Sequence, residues 1–239
     1  MKTNKEKDGD KSCQSTNNPG EWKGRSIEID DAGTGDLVGD AFIGFRDMEN
    51  RKTIFRSVPV GLYATGNTNE DPPRKYIVTI VNDGLKALNH RKGDRILLCR
   101  GACFDLVRES FEENGIYYEP AIIEGELQDA VEGRFIHHLR KLGITSNKLT
   151  KEAGAQRYFT LFNWVCQDFP NREKFVKRGF PSWEKKWRKI AMKRYQKYNK
   201  TTNANQVNQR LMILQRANEI YKSMLEKPIS VRKSTSKRH

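Results

Sequence analysis

Two adjacent carboxylates, Asp30 and Asp31, close a short alternating run containing Ile27 and Ile29, and a glycine-rich turn follows them (Gly33, Gly35, Gly39). A second apolar run then covers residues 41–45. Paired acids at the end of a strand, at the mouth of a glycine hairpin, suit the holding of divalent cations. Hard cations take oxygen ligands, and Mg²⁺ is usually held by one or two carboxylates together with substrate phosphates. Two such ions about 3.5–4 Å apart cleave phosphodiesters by in-line displacement. The plainer alternative is a β-hairpin whose acids sit in a solvated turn. Asp36 and Asp40, which flank the turn, read as turn formers.

The run Ile29-Asp30-Asp31-Ala32-Gly33-Thr34-Gly35, with Leu37 and Gly39 beyond it, resembles the opening motif of type 2 ribonuclease H. That family reads Asp-Glu-Ala-Gly-Arg-Gly, so Asp31 stands where it has Glu and Thr34 where it has Arg. The resemblance covers residues 26–45. It implies a ribonuclease H-like fold, Mg²⁺ or Mn²⁺ as cofactor, and a nucleic-acid partner, RNA or an RNA–DNA hybrid. Asp30 and Asp31 would then be metal ligands and catalytic residues from the first strand. Gly33, Thr34 and Gly35 would lie against the nucleic-acid backbone. Glu124-Gly125-Glu126 resembles the family's Lys-Gly-Asp run after the fifth strand, which makes Glu126 a further ligand, with Asp129 one helical turn on. Acids also favour the first turn of any helix because of its dipole.

The fourth strand departs from the family, which ends it with Asp-Gly. Here Leu98-Cys99-Arg100-Gly101 places Arg100 at the expected ligand position, and an arginine cannot bind a cation. Asp105 is the candidate substitute ligand, and Arg100 would instead grip a phosphate. Cys99 and Cys103 read as core thiols, with a shared site as the other option. His137 and His138 are adjacent, so they cannot serve one site and read as surface or packing residues.

The elements that must position these side chains follow from periodicity. Strands are expected over residues 26–31, 39–46, 52–60, 95–99 and 116–123, the fourth as a continuous apolar run buried on both faces. Helices are expected over 75–89, just after Pro72 and Pro73, over 102–114, and over 126–142. The fold class is therefore α/β, a mixed five-stranded sheet in the order β-β-β-α-β-α-β-α, which is also the order of the ribonuclease H-like fold. A basic α-helical region follows, with an aromatic cluster in 158–169 that reads as core. Two further helices are expected over 182–200 and 205–226, the last able to pack on its predecessor as a hairpin or to pair with another chain.

Composition divides the chain in the same place. Of the 239 residues, those up to Ile144 carry 21 Lys/Arg against 24 Asp/Glu, a net of −3; the rest carry 23 against 6, a net of +17. An acidic module joined to a very basic one fits an acid-lined site delivered to a polyanion. The expected organisation is a disordered tail (1–24), a ribonuclease H-like domain (25–144), a basic helical region (145–228) and a basic tail (229–239). Lys185, Lys186, Arg188, Lys189, Lys193, Arg194 and Lys197 cover one helix and are the expected phosphate contacts. The same helix could lie on an anionic membrane, but beside an acid-lined domain phosphates are the better reading. No apolar run approaches the roughly 18 residues a membrane helix needs, and the polar N-terminus is unlike a signal peptide. Four cysteines without CxxC spacing fit a reducing, cytoplasmic setting. The functional expectation is a divalent-metal-dependent nuclease. The alternative is a catalytically degenerate RNA-binding protein, for example one built into a ribonucleoprotein.

Overall fold

A computed structural model describes residues 24–63, 71–180 and 182–225, with side chains up to Ile220. The expected tails, 1–24 apart from its last residue and 229–239, lie outside the described residues. The chain divides into two compact units. Among the described residues the first takes 24–34, 40–59 and 71–137, and the second takes 35–39, 60–63, 138–180 and 182–225.

The first unit is α/β. Its strands are β1 (Ser26–Ala32), β2 (Ala41–Asp47), β3 (Thr53–Val58), β4 (Arg95–Cys99) and β5 (Glu119–Ala121). Its helices are α1 (Pro72–Ala87), α2 (Asp105–Glu113) and α3, which starts at Glu126 and runs to Lys141. The sheet order is β3-β2-β1-β4-β5; β1–β2 and β2–β3 pair antiparallel, β1–β4 and β4–β5 parallel. The expected order of elements is present. Helix α1 starts earlier than expected because Asp71 caps it, its carboxylate accepting from the Arg74 N–H, and both prolines sit in the first turn, where no N–H is needed. Strand β5 keeps only three residues. It is an edge strand, where Pro120, lacking a donor, is tolerated.

Strand β4 is not equally buried on both faces. Ile96 and Leu98 are sealed, while Arg95, Leu97 and Cys99 on the other face are partly open. The close approach of helices to the sheet depends on two glycines. A Cβ on Gly44 would stand 3.0 Å from Leu127 Cδ1 and 3.2 Å from Val131 Cβ on α3. One on Gly84, inside α1, would stand 2.5 Å from Cζ of the buried Phe45. Gly84→Ala is therefore expected to destabilise by about 1–3 kcal/mol through overpacking, outweighing the ~1 kcal/mol helix-propensity gain. Urea unfolding checks this, and a stabilised variant would refute the packing argument.

The second unit is helical: α4 (Gly154–Gln167), α5 (Phe169–Arg172) and α6 (Arg188–Leu225), the last preceded by a π-helical turn over Trp183–Trp187. The aromatic cluster is core, as expected. Phe162 meets Trp187 at 5.2 Å and Trp183 at 6.5 Å between ring centroids, and Trp183 is fully buried. The two helices expected at the end are one continuous helix of 38 residues. No Gly or Pro interrupts residues 200–205, and Thr and Asn there cost at most about 0.7 kcal/mol each in propensity, too little to break it. Every residue from 196 to 220 is exposed, so of the two options for this segment the hairpin is not taken, and pairing with another chain is untouched by the structure.

Asp36 does more than form a turn. Residues 35–39 belong with the helical unit: Gly39 N–H donates to Phe175 O, Lys177 N–H to Leu37 O, and Val38 bridges Val176. The Asp36 carboxylate lies 3.4 Å from buried Arg157, and its carbonyl accepts from the buried Lys177 ammonium at 3.0 Å.

Candidate metal centre

The hydrogen-bond register explains which side chains meet. Glu28 pairs with Leu97 and Ile29 with Leu98 across the parallel β1–β4 ladder. Side chains alternate between faces, so Asp30 and Cys99 fall on one face at the neighbouring strand ends. Ligand atoms of Asp30, Asp31 and Cys99 all lie within 4.8 Å of one another. Asp30 is buried, and Asp31 and Cys99 are half-buried.

The electrostatics are those of acids held out of water. Burial pushes the Asp30 carboxyl above its usual range; hydrogen bonds from the Cys99 thiol and the Asp31 N–H oppose the rise, and the charges of Asp31 and Glu132 add to it. Burial and the two carboxylates push the Cys99 thiol up to about 12, against a backbone hydrogen bond from Gly101. The Cys103 thiol is also pushed up, by burial and then by the charge of Asp31, to which it is hydrogen-bonded. The Thr34 hydroxyl donates to Asp31 Oδ2 and orients it. Gly33 takes a left-handed φ of 81°, and a Cβ there would collide with Phe135 at 2.5 Å, so the turn that carries Thr34 needs glycine.

The other expected site residues go elsewhere. The Glu126 carboxylate is exposed and ion-paired with Arg46. Asp129 is exposed on α3, and from that helix it is half-buried Glu132 whose charge acts on Asp30. Asp105 pairs with Arg108 at 2.5 Å and lies 3.5 Å from Arg74. Arg100 is exposed, and the β4 side chain that reaches Asp30 is that of Cys99. Gly35 is exposed, with open space where a Cβ would stand. Lys185, Lys186, Lys189, Lys193, Arg194 and Lys197 are exposed on the helical unit. Lys186 also stacks on Trp187, and Arg194 donates to Asn163 Oδ1 at 3.0 Å and lies over Phe162. Arg188 is committed to Glu173 at 2.5 Å. His137 is exposed, and His138 packs against Gly39.

Glu132 was missed as a site residue, and Cys99 and Cys103 read as core thiols with a shared site only as the other option. The strand alternation Arg95, Leu97, Cys99 was the available signal for Cys99, once β4 is laid parallel to β1. The expected Mg²⁺ can be tested against the donor set. A pair of Mg²⁺ ions asks for hard oxygen ligands in near-octahedral geometry. Two carboxylates and a thiol, with Glu126 and Asp105 turned to arginines, do not fit it. No protein-family model matches this chain, and no curated protein matches it.

Proposed function

We propose that this chain is a divalent-cation-dependent nuclease with a ribonuclease H-like domain, acting on RNA or an RNA–DNA hybrid. The observation that carries the reading is the convergence of Asp30, Asp31 and Cys99 where the central antiparallel strand meets its parallel neighbour. Asp30 and Asp31 are the residues that hold the cation, and Thr34 fixes the rotamer of Asp31. A cation bound there supplies neutralisation of charge developing on the scissile phosphate. The exposed lysines of the π turn and α6 bind the phosphate backbone without reading sequence.

The direct test is incubation of labelled RNA–DNA hybrid, RNA and duplex DNA with the full chain and each of Mg²⁺, Mn²⁺, Zn²⁺ and Co²⁺. Divalent-dependent cleavage of hybrid or RNA supports the reading, and no cleavage of any substrate with any cation overturns it. A second reading is favoured by the thiol at the end of β4, where a third carboxylate would serve catalysis: a ribonuclease H-like protein that binds RNA without cutting it. Salt-sensitive RNA binding with no cleavage selects that reading.

Both readings make the same prediction for the basic helix. The triple variant Lys189→Glu, Lys193→Glu, Lys197→Glu changes only exposed residues. The slope of log affinity against log salt should fall by about 0.7–0.9 for each phosphate that the variant no longer neutralises. An unchanged slope in a titration of fluorescent RNA would remove the helix from the binding surface.

A further inference from the structure

The donor set that does not suit Mg²⁺ suits another class of ion. Asp30, Asp31 and Cys99 offer ligand atoms within 4.8 Å of one another. The Cys103 thiol lies outside that 4.8 Å group but stands close by across Gly101, which with Arg100 links β4 to the short helical turn that carries it. The point where a Gly101 Cβ would sit is ringed by Asp31 Oδ1 at 3.1 Å, Cys103 Sγ at 3.5 Å and Cys99 Sγ at 3.8 Å. Only glycine leaves that space open. Each thiol is hydrogen-bonded to one carboxylate, Cys99 to Asp30 and Cys103 to Asp31. These four side chains come from two strand ends and the turn after β4, all within the sheet unit.

We infer that Asp30, Asp31, Cys99 and Cys103 form a four-donor site for one thiophilic divalent cation of the Zn²⁺ class, not for a pair of Mg²⁺ ions. Thiolate ligands select zinc-like metals, whereas carboxylate and water sets suit Mg²⁺ and Mn²⁺. Two sulfurs and two oxygens complete a tetrahedral shell, with bonds near 2.3 Å to sulfur and 2.0–2.2 Å to oxygen. To reach those lengths the three grouped donors must draw together, and the Cys103 thiol, which starts outside their 4.8 Å group, must swing in to join them. Both thiols bind as thiolates and release their protons to solvent. Two protons therefore leave as one dication enters, and the net charge of the buried cluster is unchanged. The inference rests on the proposed cation-dependent reading of the same residues and specifies which cation they take; four protein donors close the shell, so a phosphate reaches the ion only where the shell expands to five donors or the Cys103 thiol gives way.

The experiment is titration of the metal-free full chain with Co²⁺, a coloured stand-in for Zn²⁺, followed by absorbance. One Co²⁺ per chain is expected, with a sulfur-to-metal charge-transfer band and visible bands of tetrahedral intensity. Zn²⁺ should bleach them stoichiometrically, and a large excess of Mg²⁺ should not. Cys99→Ser and Cys103→Ser should each weaken binding by roughly 100-fold or more, beyond the ~10–100-fold that removing a hydrogen-bond partner of a ligand costs. Cys13→Ser and Cys166→Ser should leave the band intact. Should Cys99→Ser fail to fold, the wild type still answers: Zn²⁺ should protect Cys99 and Cys103, but not Cys13, from alkylation read by peptide mass spectrometry. Co²⁺ bound without a charge-transfer band, a band that survives Cys103→Ser, displacement by Mg²⁺ on equal terms, or Cys99 and Cys103 alkylated equally with and without Zn²⁺ would each overturn the inference. The two readings fail separately. Cleavage in Mg²⁺ with no thiolate band sinks this site and leaves the nuclease, and a thiolate band with no cleavage does the reverse.

Discussion

Asp30→Asn is expected to abolish hybrid cleavage and, in the same molecule, to raise the melting temperature of the metal-free protein. The first effect follows from losing the most buried of the proposed cation ligands. Cation stabilisation is worth several kcal/mol at the transition state, so the rate should fall by about 10³-fold or more. The second follows from burial, which holds the Asp30 carboxyl above its ordinary range, with the charges of Asp31 and Glu132 adding to it. A carboxyl raised in the folded state contributes stability that is fully present below its unfolded pKa and is lost as pH rises through the folded one. At neutral pH the ionised Asp30 therefore opposes folding, and the amide, which keeps the shape and loses the charge, removes that opposition. Each kcal/mol regained raises the midpoint by about 2–4 °C in a chain of this size. Differential scanning with a cleavage assay checks both halves. Cleavage within tenfold of wild type would move the chemistry away from Asp30. A lowered midpoint would make Asp30 a structural group instead of a strained functional one.

Arg25→Ala should cost about 1–3 kcal/mol, the penalty for taking a charged hydrogen-bond partner from buried acceptors. Arg25 is ion-paired with Asp47, 1% exposed, and with Asp94, 7% exposed at 3.2 Å. It also donates to the carbonyls of Leu88 and Asn89 just past the end of α1. One guanidinium thus ties the start of β1, the end of β2 and the loop before β4. Burial pushes the Asp47 carboxyl up, but hydrogen bonds from Asn50 and the charge of Arg25 outweigh it and hold the group below its usual range. The stability this provides is present above the unfolded pKa and is lost as pH falls through the folded one. In Arg25→Ala that acid-side loss should flatten, because the lowering loses one of its causes. Urea melts between about pH 3 and pH 7 measure it. A variant within 1 kcal/mol of wild type at neutral pH, or one with an unchanged acid slope, would dismiss the cluster as surface charge.

Much of the sheet unit was legible in the chain. The alternation of Ile27 and Ile29, the apolar run at Ile96 and Leu98, and the stripe of Leu127, Val131 and Phe135 each mark an element by the period of its side chains, and every expected strand and helix of that unit is present, with ends shifted by a few residues. Periodicity is a local property, written within one turn or one pleat, so it survives reading in one dimension. The same holds for the charge division at residue 144 and for the paired acids Asp30 and Asp31.

The partners of those acids were not legible, because they depend on register and on which arginine reaches which carboxylate. Arg100 stood at the expected ligand position by chain order, yet the β1–β4 register, carried one residue past Ile29–Leu98, sets Cys99 beside Asp30. Glu126 and Asp105 had the right charge and plausible spacing, but Arg46 and Arg108 take them. Asp36 read as a turn former and turned out to face Arg157, 121 positions away in the numbering. The helix from Arg188 to Leu225 had no breaker to end it, and only packing decides where it is covered: among the described residues Trp183 and Ala191 are buried and 196–220 are exposed. Residue types and local periods set what each segment can form and which charges it carries. Distance between segments remote in sequence is set by strand register and packing, and that distance decides which donors meet, so the thiols of Cys99 and Cys103 joined Asp30 and Asp31 only once the chain had folded.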